Sequence, residues 1–378
     1  MDLRAYLRHL DYVVLATVLA LMGYGIAVIY FATRNDPITY YANYQAVYAA
    51  VGLAAMVAVS LVDYERYRRW QWFLWGFAVF SIAAVFVLGP VTRGSRRWIP
   101  LGVINFQPSE LAVWILVVAL GAFMVDRMEL LGTRRITLLG LAYAVVPVVL
   151  VFLQPDFGTS TVLVALTLAV MFFYGTSWTH FAALAAAAAA AALVVLKVLP
   201  AIGLTVVKAY QLQRLDVFLH PGHDPGRAGY NVAQSMIAVG SGALRGRGNL
   251  ATQTTLDFLP EHHTDFIFAV VSERYGFLGA AVLIALYVLL IWRALRIATL
   301  SRDMYGSIMA GGIAVVFLFQ VFVNIGMTIG IMPVTGIPLP FMSYGGAALI
   351  TSLLLVGLLE SIHLRARLAI DNGSLIGN

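Results

Sequence analysis

The chain has 378 residues, of which 61% are hydrophobic and 11% charged, with a mean hydropathy of +0.87. Soluble domains carry about 25% charged residues, so the composition excludes a soluble protein and points to an integral membrane protein. Cysteine is absent, which excludes disulfides and cysteine-held metals. The net charge of +6 is scattered over loops between apolar runs and reads as membrane topology, with no nucleic-acid partner.

Spans of about 20 apolar residues can be laid on residues 12–32, 45–62, 72–88, 111–125, 138–152, 160–174, 181–199, 275–292, 308–331 and 341–362. The expectation is an all-α membrane protein of about ten transmembrane helices in a single polytopic domain, residues 1–378. The first run follows Arg4 and Arg8, is too long for a signal-peptide core and ends in no small-residue cleavage site, so it reads as a retained span. Arg66, Arg68 and Arg69 follow span two, Arg127, Arg134 and Arg135 span four, Arg293, Arg296 and Arg302 span eight, and Arg365 and Arg367 span ten. The positive-inside rule puts those loops in the cytoplasm, and with them both termini.

Spans one and two read as plain anchors joined by the outer turn 34–37. After span three, Arg93, Arg96 and Arg97 occupy an outer loop, against the positive-inside tendency, which suggests an anionic ligand; lipid headgroups are the plainer alternative. Trp98 beside them reads equally well as an interfacial anchor. Gln107-Pro-Ser-Glu110 is a helix-entry pattern, with Pro at the first position and an acid in the first turn. Similar entries recur at Gln154-Pro-Asp156, Leu259-Pro-Glu261 and Ile337-Pro-Leu-Pro340, all on the outer face. Helix N-termini carry unpaired N–H groups and partial positive charge, so several converging would suit a diphosphate. Each could also be no more than a tidy helix start.

Span seven holds an alanine run over 182–192, expected to pack closely without interlocking side chains and to shift easily. Residues 200–263 form the one long hydrophilic segment, an extracytoplasmic loop between helices seven and eight carrying Lys208, Arg214, Arg227, Arg245 and Arg247. A loop of that length is uncommon without a function. Its glycine-rich part, 240–248, has no strand before it and no Lys-Ser/Thr pair, which argues against a nucleotide site.

Chemistry concentrates in Leu256-Asp-Phe-Leu-Pro-Glu-His-His-Thr-Asp-Phe-Ile-Phe268, which crowds Asp257, Glu261 and Asp265 with His262 and His263 at the mouth of an apolar run. A charge at mid-membrane costs about 2.5–3.5 kcal/mol, so such groups tend to face a cavity and do work there. On a helix Glu261 and Asp265 would share a face, with Arg274 pointing away. The two histidines lack the spacing of a helical zinc site, and no metal ligand is assigned. Asn324, in span nine, reads as a helix–helix hydrogen-bond partner, and the Gly- and Pro-rich stretch 332–346 as a broken segment lining a cavity.

Taken together, Arg97-Trp-Ile-Pro-Leu-Gly102, Phe106-Gln-Pro-Ser-Glu-Leu111, Gln154-Pro-Asp-Phe-Gly-Thr159, Gly229-Tyr-Asn-Val-Ala-Gln-Ser235, Thr252-Gln253, the 258–268 motif and Pro333-Val-Thr-Gly-Ile-Pro-Leu-Pro340 resemble the SEDS family of bacterial cell-wall polymerases. The Phe258-Leu-Pro-Glu261 form leans toward its RodA elongation branch. The resemblance implies a glycosyltransferase of the bacterial inner membrane that polymerises lipid II into peptidoglycan on the extracytoplasmic side, beside a class B penicillin-binding protein. It makes Asp265 the essential acid and general base. Substrate binding falls to Trp98, Glu110, Arg214, Gln253, Glu261 and Thr264. It leaves room for a divalent cation such as magnesium, for which the sequence shows no ligand set. Where the family carries Lys three residues after the acid at Glu110, this chain has Val113. The rival readings are a lipid II flippase, for which inverted repeats would be expected, and a non-catalytic membrane scaffold.

Overall fold

Apolar segments cross a bilayer only if every backbone polar group is paired internally, which favours helices. The computed structural model describes residues 3–33, 40–91, 95–101, 104–202, 218, 228–253 and 258–371. Its helices are α1 (Leu3–Arg8), α2 (Tyr12–Thr33), α3 (Tyr41–Leu61), α4 (Tyr64–Arg69), α5 (Gln71–Leu88), α6 (Pro108–Val125), α7 (Arg134–Leu153), α8 (Phe157–Tyr174), α9 (Trp178–Ala201), α10 (Ala228–Ser241), α11 (Ile267–Leu300), α12 (Met304–Thr328) and α13 (Gly346–Asp371). Among the described residues ten helices, all but α1, α4 and α10, are long and apolar enough to span a membrane. The fold is the expected ten-span, multi-pass membrane protein.

Several helices start about a turn before their apolar run, where a polar residue or proline sets the entry. Pro108 opens α6 with Glu110 in its first turn. Asp156 caps α8 by accepting the Thr159 N–H, and Asp303 caps α12 by accepting the Gly306 N–H at 2.8 Å. α6 is the innermost span, buried from Pro108 to Met124 at every position but Leu111. α3 packs chiefly along α13, and α12 along α8 and α11.

Four features depart from the sequence reading. Before α6, β1 (Ile99–Leu101) pairs antiparallel with β2 (Ile104–Phe106), Ile99 opposite Phe106, a small hairpin in an otherwise helical protein. Within the expected long loop, α10 is a helix packed against α11 and α12, with the Ser235 hydroxyl donating to Thr328 O at 2.7 Å. The close packing expected of the alanine run is not found: no residue of Trp178–Leu193 is buried. Alanine offers nothing to interlock, and α9 is tied in at its first turn, through His180 Nδ1 and Thr137 Oγ1 (2.8 Å) and Trp178 edge-on to Phe172 (5.7 Å).

The fourth concerns the start of α11, which breaks at Gly276 (φ 65°, ψ −162°), a conformation that favours glycine. The break frees the N–H groups of Phe277 and Leu278, which donate to Ala243 O (2.8 Å) and Leu244 O (3.2 Å). A Cβ at Gly242 would lie 1.9 Å from Ser272 O, and one at Gly246 2.1 Å from Arg274 O. The glycine-rich stretch is therefore a backbone collar around the break.

The first and last helices meet. His9 Nε2 lies 2.8 Å from Asp371 Oδ2, the Asp11 N–H donates to Glu360 at 3.0 Å, and Arg293 donates to the Asp11 carboxylate. The start of α2 and the last turns of α13 thus lie at one end of the bundle.

Candidate active site

The entries of α6, α8, α11 and α13 converge at one end of the bundle, around a cavity of about 490 Å³. Trp98, Glu110, Glu261, Thr264 and Asp265 all line it. Gln253 does not; its N–H donates to the buried Glu273 carboxylate at 2.9 Å, and its carbonyl accepts from the Leu259 N–H. Arg214, with Lys208, Arg227, Arg93 and Asp257, lies outside the described residues.

Asp265 reaches the cavity by a different route from the one the spacing suggested. Residues 259–266 are turns, and the helix begins only at Ile267, so Glu261 and Asp265 do not share a helical face. Glu261 takes a left-handed backbone (φ 56°). Its carbonyl then accepts the N–H groups of Thr264 (3.2 Å) and Phe266 (3.4 Å), and its carboxylate the Thr264 hydroxyl (3.0 Å). This curl turns Glu261, Thr264 and Asp265 into one cavity.

Asn324 fixes the curl from α12. Fully buried, its Nδ2 donates to Asp265 O (2.9 Å) and to Ile337 O (2.8 Å), tying the acidic turn to the irregular segment 329–345. Ser343 adds a second tie, donating to Thr264 O (2.6 Å) while accepting the Leu339 N–H (2.8 Å). From α3, the Gln45 amide donates to Ser343 O (3.0 Å) and accepts the Gly345 N–H (3.2 Å). The half-buried Asp265 carboxylate sits beside Gly336 (φ 75°), where a Cβ would lie 3.6 Å from Oδ2. The histidines serve as packing: His262 is buried with Nδ1 2.9 Å from Leu259 O, and His263 lies on the Tyr41 ring at 4.6 Å. Among the described residues no three His, Cys, Asp or Glu side chains are grouped to hold a metal.

Another part of the lining is charged. Asp156 accepts from Ser109 Oγ (3.0 Å) and Gln107 Nε2 (3.1 Å) and faces Arg97 Nη1 at 3.7 Å. Arg97 also donates to Pro155 O. The Thr159 hydroxyl donates to Glu110 at 3.4 Å. Val113 is buried, and among the described residues no cation lies within ion-pair distance of Glu110, so the cation at this wall neutralises Asp156 instead. The last part is aromatic, built from Tyr48 and Tyr344. Burial and the nearby Tyr48 hydroxyl push the Tyr344 phenol up to about 12, which keeps it neutral.

The sequence reading passed over Arg97 as an individual ligand, Asp156, Gln45, Tyr48 and Tyr344. Asp156 stood in a helix-entry motif, and Tyr40, Tyr44 and Tyr48 recur at four-residue spacing, but hydropathy alone made that helix an anchor. The assembled site offers a carboxylate open to a polar cavity, next to a guanidinium and several helix N-termini. Such a site can take a proton from one reactant while holding an anion on another.

Residues 8–368 match the sequence model of the FtsW, RodA and SpoVE cell cycle proteins. The chain is 40% identical over 357 residues to the peptidoglycan glycosyltransferase MrdB of Escherichia coli strain K12, covering 94% of each. Its fold matches a solved chain from a peptidoglycan synthase complex that coordinates polymerization and crosslinking, with a TM-score of 0.80, 30% identity and coverage of 94% of this chain and 98% of that one. For the rod shape determining protein RodA of Thermus thermophilus the TM-score is 0.67, at 27% identity over 94% and 96% of the two chains. With sequence and fold agreeing over nearly its whole length, the chain belongs to the FtsW/RodA/SpoVE family.

Proposed function

We propose that the chain is a peptidoglycan glycosyltransferase that polymerises lipid II into glycan strands during cell elongation. The observation that carries this reading is the half-buried Asp265 carboxylate, on a turn whose backbone Asn324 holds, in a cavity that also contains Arg97 and the entries of four helices. Asp265 takes the proton from the acceptor sugar's 4-hydroxyl as that oxygen attacks the anomeric carbon of the donor. The C–O bond to the polyprenyl diphosphate breaks as the new glycosidic bond forms, so an α-linked donor gives a β-1,4 product in one inverting displacement. A positioned base contributes about 10²–10⁴-fold. The leaving diphosphate needs charge stabilisation more than a proton, and Arg97 and the helix N-termini supply it. Trp98, Glu110, Glu261 and Thr264 bind substrate around this centre, Gln253 acts through the loop it braces, and Arg214 is a further substrate-binding residue. A divalent cation such as magnesium would arrive with the diphosphate.

The solved relative drawn from a synthase complex supports a class B penicillin-binding protein as partner, taking the strands for crosslinking. The cavity lies at the opposite end of the bundle from the meeting of the first and last helices. With the termini in the cytoplasm, it opens on the extracytoplasmic side of the bacterial inner membrane.

The test is polymerisation of labelled lipid II by the protein in bilayer discs, with and without its partner. Wild type is expected to give polymer ladders and Asp265→Asn to lose at least about 10²-fold in rate. Retained polymerisation by Asp265→Asn would refute the base. Leaflet exchange without polymer would indicate a flippase, and neither activity a scaffold.

A further inference from the structure

The aromatic side of the cavity has no part in the chemistry proposed at Asp265. Tyr48 and Tyr344 line it with rings 6.5 Å apart and tilted 51° to each other. Tyr48 rests face-on against Gly346, where a Cβ would come within 3.0 Å of three ring carbons. One turn earlier on α3, the Tyr44 ring lies 6.4 Å from Tyr48 with only 23° between the planes. Rings that far apart overlap little, so each keeps much of a face open. Tyr40, a further turn back at the helix N-cap, is 59% exposed and continues the same stripe. The stripe leads from the cavity to the end of α3.

Interfacial anchoring accounts for tyrosines that face lipid. It does not account for Tyr48 and Tyr344, which face the cavity holding Asp265. Nor does this side suit the diphosphate, because aromatic faces carry negative charge density and the cation that would hold it, Arg97, stands on the other wall, beside Asp156. A pyranose ring fits better: its C–H groups present positive charge to the ring faces and its hydroxyls can bond the phenols. Residues four apart on a helix stand about 6 Å apart along its axis, and the Tyr44 and Tyr48 rings lie 6.4 Å apart, a step of the order of one pyranose.

We propose that Tyr344, Tyr48, Tyr44 and Tyr40 form a track for the sugar rings of the β-1,4-linked glycan. Tyr48 and Tyr344 grip the sugar beside Asp265, and Tyr44 and Tyr40 hold those that follow it out of the cavity. The inference rests on the glycosyltransferase reading and adds to it a place where the polymer stays bound between additions.

Two measurements test it on the full chain in bilayer discs. In the lipid II assay with the partner present, Tyr44→Ala is expected to shorten mean strand length about fivefold, the loss of one stacking contact, while Tyr44→Phe keeps wild-type length. Tyr44 is 44% exposed, so its truncation removes little packing. Separately, saturation-transfer NMR with a β-1,4-linked N-acetylglucosamine tetramer is expected to show binding to wild type and to Asp265→Asn, and none to the Tyr44→Ala/Tyr48→Ala double variant. Unchanged strand length in Tyr44→Ala, tetramer binding retained by the double variant, or no binding to wild type overturns the track. If Asp265→Asn still polymerises while Tyr44→Ala shortens the strands, the base assignment fails and the track stands.

Discussion

Asn324→Ala isolates how much of the activity depends on holding Asp265 still. The substitution deletes the Nδ2 donor to Asp265 O (2.9 Å) and Ile337 O (2.8 Å) in a fully buried setting. Each bond contributes about 0.5–1.5 kcal/mol net, so the pair accounts for about 1–3 kcal/mol. The helices on either side keep their packing, so much of that loss should appear as looseness of the turn 259–266 instead of global unfolding. A carboxylate displaced by about 1 Å can cost about 10²-fold in rate. Lipid II polymerisation by Asn324→Ala is therefore expected to fall by about 10–100-fold while Tm drops by a few degrees. Tyr305→Phe is the control: it removes a buried hydrogen bond from the same helix to Val118 O (3.1 Å), far from the cavity, and should lower Tm comparably with little effect on rate. If the two variants lose the same small fraction of activity, Asn324 is a packing residue and the positioning argument is wrong.

Gly276→Ala should destabilise the protein by more than about 3 kcal/mol, because the left-handed backbone costs about 1–3 kcal/mol and the new Cβ would meet Gly246 N at 2.3 Å; wild-type Tm for that variant would contradict the collar. Asp156→Asn should cost more stability than Glu110→Gln, since the first removes the charge facing Arg97 at 3.7 Å and weakens a cap, about 0.5–2 kcal/mol, while the second keeps the Thr159 bond. Differential scanning fluorimetry would expose the reverse order. Arg97→Gln should raise the KM for lipid II several-fold. Arg97→Lys should restore only part of the affinity, because an ammonium cannot span Asp156, Pro155 O and a diphosphate as a planar fork does; full rescue by lysine, measured from initial rates, would sink that role.

The ten spans were legible because hydropathy reports the hydrocarbon crossing directly. Their ends were less so: α6 begins at Pro108, a polar entry that hydropathy does not score, and α13 only at Gly346, after an apolar but irregular segment that hydropathy cannot tell from a helix. The acidic motif was readable as the centre of the site, and so was the convergence of helix entries. The way Glu261 and Asp265 meet was not, since a four-residue spacing suggests a helix and nothing local reveals that Glu261 turns left-handed. The ties from Asn324 and Gln45 span 59 and 298 residues, so no local pattern could place them. The glycine-rich stretch was legible as unsuited to a nucleotide, but its use in close contact between two backbones depends on the break at Gly276, which lies outside the stretch.

The knot where the first and last helices meet bears on how the protein is made. Asp11, at the start of the first span, finds Arg293 and Glu360 only after nearly all of the polypeptide has been synthesised, and α3 likewise waits for α13. The first span must therefore wait for the eighth before its acid is matched, and the Asp11 N–H and α3 wait for the last. Any premature stop that removes the last helix would leave the opening pair without its seat, a state that membrane quality-control proteases are suited to detect.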